Sequence, residues 1–326
     1  RSAFLEAAHL LEVSEQPIHS FWMIFRRFLL LITLIAALPT PALFGAGEVA
    51  GGHAAEEHAE HHALPPNAVV LTEIGPFAIT NSMVVTWIVA IGLIVIAQLA
   101  TKNAKTIPSG LQNFVEWLVE SLFAFFEGVL GERMTKQTFW FFGTIFIFIL
   151  FTNWFGLIPG LGTIGWGHAT EHGFVTTEPL LRGVNADLNM TSAMALFFFA
   201  LWIYWSLKEI GVGGFFFHIF NIKGHGVTAM GLFLMVIYLF VGVIEVVSIG
   251  VRPVALMFRL YGNVFAGENI LETVMSLGGT YFGWLVVLPF YFLELLVGLV
   301  QALVFALLTA VFTSLMCSHH DKEKSH

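Results

Sequence analysis

The chain has 326 residues, of which 57% are hydrophobic and only 11% charged, and 34 are Phe. Soluble domains have about a quarter of their residues charged, so most of this chain is solvated by lipid. The net charge of −8 sits mainly in termini and loops and signals no nucleic-acid partner, the single cysteine excludes an intrachain disulfide or cysteine metal cage, and no Walker-type glycine loop or Gly-x-Ser-x-Gly elbow offers nucleotide or hydrolase chemistry.

Arg1 to Trp22 is mixed in composition, and Met23 opens a signal-like segment over residues 23–47. Arg26 and Arg27 precede an apolar core, Phe28 to Ala37, and a small-residue tail, Pro39 to Gly47. That is the pattern of a secretory signal, too short for a good membrane span, in which case residues 1–22 lie outside the mature protein. An amphipathic N-terminal helix is the other reading. Residues 48–80 form a polar region rich in His and Glu, with His53, Glu56, Glu57, His58, Glu60, His61 and His62. His58 and His62 would share a helix face, yet nothing nearby would fix metal ligands, so a solvated linker is expected and no metal site.

A membrane unit is expected over residues 81–318, followed by a polar tail, 319–326. Met83 to Ala100 is long enough to cross a bilayer, which takes about 20 residues. Leu111 to Leu130 carries Glu116, Glu120 and Glu127 at helical spacing, which suits an amphipathic helix at the interface. Phe139 to Ile158 and Ser192 to Leu207 are the next spans, joined by a long loop with His168, Glu171, His172, Glu178 and Asp187. Lys102, Lys105, Arg133, Lys136, Lys208, Lys223, Lys322 and Lys324 can all lie on one side, which the positive-inside rule makes cytoplasmic. The N-terminus then lies outside, in agreement with an export signal.

The C-terminal part differs. From about Gly231 to Ser276 the sequence is almost unbroken and apolar, and as a helix it would run roughly 70 Å, about twice the hydrocarbon thickness. Trp284 to Met316 is also over-long, and the glycines Gly278, Gly279 and Gly283 between them supply a turn. Such a hairpin must tilt, bend at Pro253, or lie nearly in the membrane plane. The expected fold is an all-α polytopic membrane protein: about five membrane-embedded helices plus one interfacial amphipathic helix, the last two forming a long tilted hairpin.

This hairpin holds Glu245, Arg252, Arg259, Glu268, Glu272 and Glu294. Each charge at bilayer depth costs on the order of 3 kcal/mol, so they imply a wet cavity, mutual pairing or a function. Arg259 and Asn263 are one helical turn apart on one face, and Glu294 and Gln301 share a face of the last helix. An arginine cannot be neutralised by losing its proton and is costly as mere glue. Glu272 near the turn reads as solvated, Arg252 as snorkelling or binding a headgroup, and Gln301 also suits interhelical packing.

Arg259-Leu260-Tyr261-Gly262-Asn263, continuing Val264-Phe265-Ala266-Gly267-Glu268, resembles the signature of subunit a of rotary F-type ATP synthases, bacterial type. Leu299 to Ala306, Phe151 to Gly160, Pro108 to Asn113 and Ala186 to Thr191 are similar to further segments of that family, and the likeness runs from about Ala68 to Met316. The resemblance implies a proton-translocating stator subunit of the Fo motor, in which Arg259 faces the ring of c subunits and releases the proton from the ring carboxylate. Asn263 and Gln301 match polar neighbours of that arginine, and Glu245, Glu268 and Glu294 match positions lining two offset half-channels. A proton is then expected to enter from outside by way of all three acids. The family often has one His and one acid at the positions of Glu268 and Glu294; here both are acids, which leaves open which one relays the proton. Implied partners are the c-ring, the b subunits of the peripheral stalk, the rest of the F1Fo complex and the lipid bilayer. No cofactor, metal or active site of its own is implied, and the expected location is a bacterial plasma membrane. A secondary transporter, the rival reading, should show inverted repeats, and none is visible.

Overall fold

The computed structural model describes residues 27, 69–74, 77–102, 105, 107–170, 173–220 and 229–323. Apart from Arg27, the signal-like segment and the His/Glu-rich stretch lie outside the described residues.

Two short antiparallel hairpins stand where the sequence reading expected polar linker and loop. β1 (Val70–Ile74) pairs with β2 (Phe77–Thr80), and Ile74 lies opposite Phe77. Their alternating β-branched and aromatic residues explain the pairing. The chain then enters α1 (Asn81–Thr101), whose first turn is capped by the Thr80 hydroxyl accepting the Met83 N–H at 3.4 Å. α2 (Leu111–Leu130) buries Val115, Val119, Leu122, Phe126 and Leu130 along one stripe, and leaves Glu120 exposed.

α3 (Glu132–Gly156) starts earlier than expected, because its polar first turn carries a Lys136–Glu132 ion pair of 2.6 Å. Every residue from 141 to 150 is buried, so α3 is the post around which the others pack. Phe141 stacks on Phe198 with ring centroids 6.1 Å apart, and Phe126, Phe139, Phe142 and Trp205 extend the aromatic core. Beyond α3 come a 3₁₀ turn (Leu161–Thr163), the hairpin of β3 (Gly165–Thr170) and β4 (Gly173–Pro179), and a second 3₁₀ turn (Val184–Ala186). Gly160 to Gly165 has Gly-x-Gly-x-x-Gly spacing, but it leads out of a helix into a strand, the reverse of the dinucleotide-binding context.

α4 (Leu188–Phe220) runs well past the expected end of its span; Gly211, at φ 76, breaks it into two helical pieces. α5 (Ala229–Leu277) has 49 residues and continues through Pro253, and α6 (Gly279–Glu323) has 45. At 1.5 Å per residue each is roughly 70 Å long, so neither stands upright in a bilayer. They meet at Gly278, where an added Cβ would lie 2.5 Å from the Gly283 Cα. The backbone of α6 takes in most of the segment expected to be a polar tail.

Among the described residues, five helical stretches are long and apolar enough to cross a membrane: Asn81–Thr101, Glu132–Gly156, Leu188–Lys208, Phe233–Leu277 and Phe282–Ser314. The protein is an all-α polytopic membrane protein with two small extramembrane-type hairpins added to it.

Candidate functional site

α5 is the least covered of these stretches. Only 11% of its apolar window is buried, against 72% for α3, so one long face of α5 awaits lipid or another chain. Leu256, Met257 and Leu260 turn inward, whereas Arg259 and Asn263 are exposed. The 100° step per residue puts Arg259 on the open face while its neighbours pack. No ion pair joins Arg259 to another described residue.

One turn beyond Arg259, the Asn263 amide donates to Gln301 Oε1 on α6 at 2.7 Å. Gln301 is 4% exposed, so the bond ties the exposed Asn263 of α5 to a buried residue of α6 and closes the hairpin. The two polar neighbours expected for Arg259 are thus in direct contact with each other.

Next to this bond lies a cleft between α3, α5 and α6, lined by Asn153, Asn263, Glu268, Glu294, Gly298 and Gln301 among others. Four of the six residues singled out in the sequence therefore share one cleft. Glycines make the space: a Cβ at Gly267 would collide with the Glu294 carboxylate, and one at Gly183 would lie 2.5 Å from Glu268 Oε1. Asn153 donates to the Gly298 carbonyl at 3.0 Å and accepts from Asn185 at 2.6 Å, tying α3 and the second 3₁₀ turn to α6.

The sequence reading missed Arg182, just before that turn. It is 5% exposed, and its Nε lies 3.8 Å from Glu268 Oε2. The same loop is anchored further along, where Ser82 at the start of α1 donates to Asp187 Oδ2 at 2.7 Å. A charged residue in a polar-looking loop carries no sequence cost, so Arg182 drew no notice; its apolar neighbours Leu180, Leu181 and Val184 are the signal that it is buried.

Glu245 stands apart. It lies about 21 Å of helix axis before Arg259, whereas Glu268 lies about 14 Å after it, so Glu245 does not share the cleft of Glu268 and Glu294. Glu245 instead pairs with Arg252 at 3.3 Å, and the Arg252 guanidinium sits 4.4 Å from the centre of the Phe312 ring on α6. Arg252 is thereby held within the hairpin rather than left free to snorkel. Glu272 is exposed near the turn.

With this geometry in hand, the chain compares closely with one group of proteins. The model of the ATP synthase A chain family matches residues 83–314. ATP synthase subunit a of Gloeobacter violaceus is 30% identical over 250 residues, covering 76% of this chain and 89% of the relative. That of Aliivibrio salmonicida is 32% identical over 262 residues, covering 76% and 83%. That of Mycobacterium tuberculosis is 32% identical over 262 residues, covering 79% and 92%.

Proposed function

The chain belongs to the ATP synthase A chain family, and from that premise we propose that it is the stator half of a proton-driven rotary motor, working through Arg259 and two offset half-channels. The observation that carries this reading is the position of Arg259: exposed on the uncovered face of α5, with the Glu268–Glu294 cleft on one side along the helix and Glu245 on the other.

In this reading the open face of α5 meets a ring of c subunits, each bearing a carboxylate. A proton from one side of the membrane reaches the cleft, passes by Glu268 and Glu294, and neutralises a ring carboxylate. The neutral acid can travel through lipid because its desolvation cost is far below that of the anion. On returning it meets the fixed positive charge of Arg259, which favours the ionised form and drives the proton off. The proton leaves past Glu245 to the other side; the opposite displacement of Glu245 and Glu268 from Arg259 favours this assignment over a single entry route through all three acids. Arg259 also bars a direct leak, since a proton would have to pass a permanent cation.

The positive-inside rule orients the chain with Lys102, Lys105, Lys136 and Lys208 in the cytoplasm. The cleft then opens outward and Glu245 lies inward. The membrane potential supplies roughly 2.3 kcal/mol per proton per 100 mV, so several protons are needed per ATP. The peripheral-stalk b subunits and the soluble ATPase head complete the complex, in a bacterial plasma membrane. Co-purification tests the reading: a ring of small subunits and an ATP-hydrolysing head should come out with this chain. Isolation of the intact chain without either contradicts it.

A further inference from the structure

We infer that Arg182 is a positioning residue of the half-channel that holds Glu268, carrying the counter-charge for that carboxylate on a loop outside the hairpin. The inference rests on the reading of Glu268 as a proton relay. Arg182 is itself buried, at 5% exposure, and reaches Glu268 Oε2 from its Nε at 3.8 Å. A guanidinium stays charged, so its burial beside Glu268 puts a fixed charge at the cleft. The next residue, Gly183, is packed against Glu268 Oε1 and, across the same gap, against the Gly156 Cα at the end of α3. A side chain there would push the Glu268 carboxylate aside, so the loop backbone and that carboxylate are seated together.

The loop is fastened just beyond this contact. Asn185 donates to Thr152 at 3.0 Å and to Asn153 at 2.6 Å on α3, and Asp187 takes the Ser82 hydroxyl of α1. Arg182 therefore hangs from a rigid polar scaffold made by α1 and α3, whereas Glu268 belongs to α5, the helix offered to the rotor. Among the described residues, the charged and titratable groups around Glu268 are Arg182 from the loop, Tyr261 and Glu272 from α5, and Glu294 from α6, with Asp187 beyond Tyr261. Arg182 is the sole cation of this set, so it decides how the acids share charge. An ionised Glu268 is drawn to the loop; when it takes up a proton from the aqueous side the ion pair is lost, and the acid is free to pass that proton on toward Glu294 and the ring. Two-sided control of this kind lets the stator scaffold set when Glu268 gives up its proton.

The experiment uses the whole ATP synthase with Arg182→Gln or Arg182→Lys, checked first for co-purified ring and head. Passive proton flux through the membrane sector is then measured against pH after the head is stripped. The Gln variant is expected to lose flux at least about tenfold and to move the pH of half-maximal flux by roughly one unit or more, as loss of a close counter-charge should. Lys should restore most of the flux. A residue that merely packs would leave the pH profile where it was, so an unshifted profile in the assembled Gln variant overturns the inference. If that variant does not assemble, the pair Arg182→Gln with Glu268→Gln decides: removing both charges should restore assembly, because no carboxylate is left buried alone, and continued failure overturns the inference. Normal flux in Glu268→Gln alone would instead remove the relay reading on which this rests.

Discussion

Asn263 on α5 and Gln301 on α6 share a 2.7 Å hydrogen bond that crosses the hairpin one turn from Arg259. It joins the helix that carries the arginine to the helix that carries Glu294, and it borders the cleft containing both acids. Interhelical bonds of this type contribute about 0.6 kcal/mol on average in membranes, and at most about 1.7. A double-mutant cycle with Asn263→Ala and Gln301→Ala, read as thermal stability of the solubilised complex, should give a coupling in that range. Additive effects would show that the bond does not hold the hairpin.

Gly267 is a place where size alone should matter. Alanine is the better helix former by about 1 kcal/mol, yet at Gly267 its methyl group would displace the Glu294 carboxylate. Gly267→Ala is expected to cut proton flux by about tenfold, since 1 Å misplacements in such sites cost as much or more. Gly92→Ala, in α1 with open space around it, is the control and should leave flux unchanged.

Asn153 tests the scaffold. Asn153→Leu removes the donor to the Gly298 carbonyl and the acceptor for Asn185, both in a buried setting. The complex should lose about 1–3 kcal/mol of stability, the cost of leaving a buried polar partner unsatisfied. Trp154→Phe, which loses an exposed bond to the Leu295 carbonyl, should cost less. Unfolding of the purified complexes by heat compares the two.

The assignment of acids to opposite half-channels can be read chemically. The chain has one cysteine, Cys317, so a Cys317→Ser background is free of thiols. In it, Glu245→Cys and Glu268→Cys should react with a membrane-impermeant thiol reagent added from opposite sides of sealed vesicles. Labelling of both from one side would return Glu245 to the entry route with Glu268 and Glu294.

Much of this architecture was legible in the sequence because lipid makes the rules strict. Arg259, Glu268 and Glu294 were conspicuous as charges in apolar runs, and the over-long hairpin followed from length against bilayer thickness. Glu245 satisfied the same cost rule, but that rule carries no information on which acids meet; its pairing with Arg252 and Phe312 is set by helix phase and packing. Arg182 escaped because a loop charge is unremarkable until tertiary structure buries it. The β1–β2 hairpin was also missed, although Val70, Thr72 and Ile74 followed by Gly75-Pro76 and then Phe77 and Ile79 carry a strand–turn–strand signal. The early start of α3 and the extension of α4 past Gly211 depend on local pairing and on a left-handed glycine, which hydropathy does not register.

The central claim is that Arg259 separates two half-channels and discharges a rotating carboxylate. ATP-driven proton pumping in vesicles containing the complete complex with Arg259→Ala tests it most directly. Pumping should be abolished while the ring, the head and ATP hydrolysis by the head remain. Pumping at the unsubstituted rate in that variant would contradict the account.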